Sequence, residues 1–70
     1  MSPFEIQVRR QGKAKSILGL LYTYNSLKDK GFSIEEFYEQ ASKDNGGNSH
    51  IIFAVHNITL KDLEMGLLLQ

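Results

Sequence analysis

Four cations crowd around one glycine in Arg9-Arg10-Gln11-Gly12-Lys13-Ala14-Lys15. At a turn that opens a helix, such cations and the unpaired N–H groups of the first helical turn suit a phosphate or a carboxylate. The segment departs from a P-loop. The first glycine is missing, and Ala14 follows Lys13 where a magnesium-ligating Ser or Thr is required. Nucleic-acid binding would set these cations on phosphates. Against it, the chain balances eight Lys/Arg with eight Asp/Glu, and Tyr22 and Tyr24 lie well away from the cluster. The readings rank as a solvated turn first, an acidic partner second and nucleic acid third.

His50 and His56 are the other chemistry-bearing residues, and the only histidines. On an unbroken strand their even separation puts both on one face, about 20 Å apart at about 3.3 Å per residue. That is too far to share a metal ion, so they read as solvent-facing strand ends. Ser49-His50 invites a nucleophile–base pairing, yet neighbours on a strand point to opposite faces and no orienting acid accompanies them. Glu35, Glu36 and Glu39 put three carboxylates on one segment. General acid–base work needs a desolvated carboxyl; here Glu36 is placed to cap a helix and Glu39 to pair with Lys43 one turn on. No catalytic residue, cofactor or metal follows from these groups.

The elements that must carry these residues are read from periodicity. Phe4, Ile6 and Val8 alternate with Glu5, Gln7 and Arg9, the period of a half-buried strand. Ala14, Ile17, Leu18, Leu21, Tyr24 and Leu27 follow helical spacing, and Lys28, Lys30 and Gly31 supply a helix end, predicting a helix over 14–29. Leu20 to Tyr24 is rich in strand formers and offers a competing hairpin with 4–10, while Gly19 either weakens the helix or marks close packing. Ser33 and Glu36 form a capping box and Phe32 and Phe37 a hydrophobic staple, which sets a helix at 34–43. Asn45-Gly46-Gly47 ends it. Ile51-Ile52-Phe53-Ala54-Val55 reads as a strand buried on both faces. Thr59 and Asp62 repeat the cap grammar before a helix at 60–69; with no secretory signal, Thr59 as a cap outranks Asn57-Ile58-Thr59 as a glycosylation acceptor. The predicted fold is a single α+β domain over residues 1–70. It is a small two-layer β-α-α-β-α unit whose two-stranded sheet, open to extension across a dimer, is covered by three helices.

Lys15-Ser16-Ile17-Leu18-Gly19-Leu20-Leu21 resembles the regulatory-serine helix of the phosphocarrier protein of the sugar phosphotransferase system. The likeness covers seven residues. That family phosphorylates a histidine in a Gly-x-His-x-Arg-Pro setting, and neither His50 nor His56 has that company, so the match reads as one amphipathic helix solved twice.

Size and composition bound the function. With 41% apolar and 23% charged residues the chain is an ordinary globular sequence, and without cysteine it holds neither disulfides nor thiolate metal sites. Its longest apolar runs are about five residues against the roughly 20 a membrane span needs, and Met1 to Glu5 shows no secretory leader. A cytoplasmic location is expected. The formal net charge is zero, but residues 1–30 carry six basic against two acidic groups and residues 31–70 two against six. Domains this small bury only about 60% of their unfolded surface and often associate. Met65-Gly66-Leu67-Leu68-Leu69 is apolar nearly all round a helix. If Leu60, Leu63 and Leu67 face the core, Met65, Leu68 and Leu69 point elsewhere. The function expected is a small non-enzymatic protein-interaction module (adaptor, inhibitor or accessory subunit) that binds a protein partner through apolar helix or strand surface and forms a homo-oligomer, a homodimer in the simplest case. Its contact residues would be Met65, Leu68 and Leu69, with Arg9, Arg10, Lys13 and Lys15. The alternative is a nucleic-acid-binding regulator that uses the basic turn at residues 9–15.

Overall fold

The computed structural model describes residues 2–43 and 47–70. Among these the chain is entirely helical. It runs α1 (Pro3–Gln11), α2 (Lys13–Leu27), a 3₁₀ turn (Lys28–Lys30), α3 (Ile34–Lys43), α4 (Ser49–His56) and α5 (Leu60–Leu68). The described residues form no sheet, so the predicted β-α-α-β-α unit and its α+β class are corrected to an all-helical bundle of five α-helices among those residues. The loop expected at Asn45-Gly46 lies outside the described residues.

Both predicted strands are short helices. In α1, the Ser2 hydroxyl accepts from the Glu5 N–H at 3.2 Å, Pro3 occupies the first turn, and Arg9 and Arg10 sit in the last turn. Each of these favours a helix. Phe4 and Val8 are one turn apart on a helix as well as on one face of a strand, which is why alternation misleads over so few residues. Ile6 decides between them: it is 38% exposed while Val8 is buried, whereas one strand face would bury both. In α4, Ile51, Ile52 and Val55 are half-buried and Phe53 is buried. The helix packs against α1, α2 and α3, so the apolar run reflects cover on several sides of a helix. Asn57 then stops it in the left-handed conformation (φ 51°, ψ 46°), and the Ile58 N–H reaches the Phe53 carbonyl at 3.0 Å. That is a Schellman stop, with Phe53 and Ile58 both in the core.

The other three helices stand where capping and spacing set them. Ser33 and Glu36 exchange side-chain-to-backbone hydrogen bonds at 3.1 and 3.2 Å, and Thr59 and Asp62 do the same at 3.0 and 3.2 Å. α2 gives way to the 3₁₀ turn and ends at Gly31, whose φ of 95° no β-carbon tolerates well. Gly12, at φ 89° and ψ 163°, makes the corner between α1 and α2 in a region that is nearly glycine-only.

The core joins Leu20 and Leu21 of α2, Ile34 and Phe37 of α3, Phe53 of α4, Ile58, and Leu63 of α5. Two aromatic contacts tie α3 in: Tyr24 to Phe37 at 5.7 Å and Tyr38 edge-on to Phe53 at 5.5 Å. The molecule measures 34 × 27 × 18 Å. Its shortest dimension accommodates two helix layers of about 10 Å, so helices on the outer faces keep one side uncovered.

Candidate functional site

The uncovered side that stands out belongs to α2 and α5. Contact between them is set by Gly66: a β-carbon there would lie 2.6 Å from Leu21 Cδ1 and 3.2 Å from Ile17 Cγ2. At the N-terminal end the Lys13 ammonium lies 3.3 Å from the Asp62 carboxylate. Lys13 with Asp62, and Ile17 with Gly66, share one sequence offset, so the two helices run parallel.

Between them lies a groove of about 340 Å³ lined by Ala14, Ile17, Leu18, Met65, Gly66 and Leu69, with Asp62 and Gln70 at its ends. Leu63 is fully buried, and Leu60 and Leu67 pack on the core. That orientation turns Met65 (52% exposed), Leu68 (80%) and Leu69 (85%) outward. Leu18 (58%) and Tyr22 (77%), one turn apart on α2, continue the apolar surface. Leu18, expected from its spacing on the buried stripe of α2, is exposed instead. The structure buries Leu20 in place of Leu18: Leu20 and Leu21 lie in the core with residues of α3, α4 and α5, and Leu18 is left on the outer side.

The basic turn is differently placed from its prediction. It joins two helices, not a strand and a helix. Arg9 and Arg10 are exposed on the last turn of α1, and Lys15 is exposed on α2. Lys13 faces Asp62, which the Thr59 N–H also holds; the Thr59 backbone N–H first, and the Lys13 ammonium after it, lower the Asp62 pKa below the ordinary carboxylate value. This pair ties the basic first half of the chain to its acidic second half.

The histidines are not strand ends in solvent. They sit near the two ends of α4, six residues or about 9 Å of helix apart. His56 Nε2 lies 2.9 Å from the Val8 carbonyl oxygen and donates to it, satisfying one of the last four carbonyls of α1. His50 lines a pocket with Tyr38 and Ser42, and its buried Nδ1 has no hydrogen-bond partner among the described residues. Ser49 lines a separate cavity of about 500 Å³ with Phe32, Phe37 and Leu27, so Ser49 and His50 open into different spaces and form no nucleophile–base pair. Among the described residues no three His, Asp or Glu side chains gather as a metal site. Glu39 pairs with Lys43, whose ammonium pKa is raised by that hydrogen bond. Ser16, the residue at the regulatory position of the phosphocarrier-like segment, is 1% exposed and accepts from Gln11 Nε2 at 2.9 Å. It is a buried contact between α1 and α2 and presents no hydroxyl to a kinase.

No protein-family model, curated protein or solved structure matches the chain. No helix among the described residues is long and apolar enough to cross a membrane.

Proposed function

We propose that this chain is a small non-enzymatic interaction module, acting in the cytoplasm, whose working surface is the apolar face of α2 and α5. The observation that supports it is the groove itself: Leu18, Met65 and Leu69 line it while more than half exposed. Burying one such side chain stabilises a complex by about 1.5–3 kcal/mol, so a few of them supply a specific protein contact. Amphipathic helices dock in grooves of this kind through residues spaced one turn apart. The nucleic-acid reading through Arg9, Arg10, Lys13 and Lys15 is the weaker one, since Asp62 already neutralises Lys13.

Affinity capture from the native host with the wild-type chain and with Leu69→Asp tests the proposal. A protein held by the first and lost with the second, at unchanged helical circular dichroism, is the expected result. Identical captured sets would overturn it.

A further inference from the structure

We infer that the occupant of the α2–α5 groove is an amphipathic helix of a partner protein, with acidic residues at one end of its apolar stripe. The inference rests on the reading of that face as the working surface and names the chemistry of what covers it.

Charge along the groove selects this partner. Ala14 lines one end of the groove, and its sequence neighbours are Lys13 and Lys15. Asp62 is the only charged side chain among the lining residues. It is already held at that end, by Lys13 at 3.3 Å and by the Thr59 N–H at 3.0 Å. Lys15 is exposed in the same row of α2 as Leu18 and Tyr22. Arg10 stands three residues before Lys13, so at most about 11 Å of chain separates them, close to the screening length of about 10 Å at about 0.1 M salt. Among the described residues no carboxylate comes within ion-pair distance of Arg9, Arg10 or Lys15, and α2 itself has no acidic residue. Lys61 and Glu64 are exposed on α5 outside the groove and offset each other. At the opposite end, Leu69 and Gln70 have uncharged side chains. The groove is therefore apolar along its length and basic at one end.

Two packed helices leave a groove that a third helix fills with side chains one turn apart. Such a helix sets apolar residues against Leu18, Met65 and Leu69, and an Asp or Glu at the end of its stripe meets Lys15. A wholly apolar helix, or a partner that brings its own cation there, would cover Lys15 without pairing it, which is costly. A nucleic-acid backbone would use the cations but leave the three apolar walls uncovered and meet the Asp62 carboxylate.

Two fluorescent synthetic peptides test this on the full chain. Both carry leucines one helical turn apart; one has glutamates at one end of the stripe, and the other has lysines in their place. The acidic peptide is expected to bind roughly tenfold or more tightly than the basic one, with amide shifts in NMR at Leu18, Met65 and Leu69. Lys15→Glu is expected to reverse the order of the two peptides. Equal binding, or an order that Lys15→Glu leaves unchanged, overturns the acidic partner. Binding of neither at millimolar concentration overturns the helix as occupant, and so does a DNA duplex held at Lys15 more tightly than the acidic peptide. Leu69→Asp, at unchanged helical circular dichroism, separates this inference from the reading beneath it. Equal binding of both peptides that is lost in that variant refutes the charge selection alone. Binding that the variant leaves intact refutes the reading of the face as well.

Discussion

Gly66 and Gly19 make a paired test of how α2 and α5 meet. Both are helical, and alanine at either gains intrinsic helix propensity of up to about 1 kcal/mol. At Gly19 an added β-carbon finds nothing within 4 Å, so Gly19→Ala should stabilise by about 0.5–1 kcal/mol. At Gly66 the same atom falls 2.6 Å from Leu21 Cδ1, roughly 1 Å inside the normal carbon–carbon separation. Leu21 has no exposed surface to swing into, so relief must come from spreading the helices. Overpacking of that kind costs about 1–3 kcal/mol. The propensity gains largely cancel between the two variants, so the difference in their stabilities isolates the overpacking. It should be about 1–3 kcal/mol in favour of Gly19→Ala. For a domain of this size each kcal/mol moves Tm by about 4–8 °C, a separation easily read by thermal melts in circular dichroism at one chain concentration. A Gly66→Ala chain that melts with or above Gly19→Ala would refute the close approach, and with it the register of the groove.

Three further outcomes are expected. Asp62 has its folded pKa held below the unfolded value near 3.8, so its contribution is full above that value and is lost as pH falls through the folded pKa; Asp62→Asn should lower stability at neutral pH and flatten the acid limb of a stability–pH profile. Asn57 holds a left-handed φ; Asn57→Ala should destabilise by about 1 kcal/mol while Asn57→Gly matches or exceeds the wild type in urea titration. His56→Ala should cost about 0.5–1.5 kcal/mol through the lost hydrogen bond to the Val8 carbonyl, and hydrogen exchange should show α1 opening more readily while α3 is unchanged.

What was legible in the sequence was the start and stop chemistry of the longer helices. Ser33 with Glu36, Thr59 with Asp62, and Gly31 after two lysines are local signals whose hydrogen bonds and dihedral angles need no tertiary partner. The strands were misread for a physical reason. Over nine residues Phe4 and Val8 serve either period, and Ser2-Pro3-Phe4-Glu5, a helix start in its own right, was outranked by alternation. In α4 the β-branched residues carry a helix penalty of only a few tenths of a kcal/mol each, which packing against three neighbouring helices overrides, and Asn57 was not read as a left-handed stop. The outward turn of Met65, Leu68 and Leu69 could be drawn from the wheel of α5 once Leu60, Leu63 and Leu67 were set inward. Leu18 and Tyr22 could not. The apolar arc of α2 is so wide that only the packing of the other helices against it decides which leucine is covered.

That width has a consequence for the whole bundle. α2 buries Ser16, Leu20 and Leu21, half-buries Ile17, Tyr24 and Leu27, and still presents Leu18 and Tyr22 to solvent. A helix with apolar residues on that much of its circumference belongs between layers, yet a molecule 18 Å thick has no third layer to give it. α1 packs on α2 and α4, and α3 on α4 and α5, and none of them covers Leu18 or Tyr22. On the proposed reading of this face as the working surface, a partner supplies that layer, on the side where α5 adds Met65 and Leu69 to Leu18.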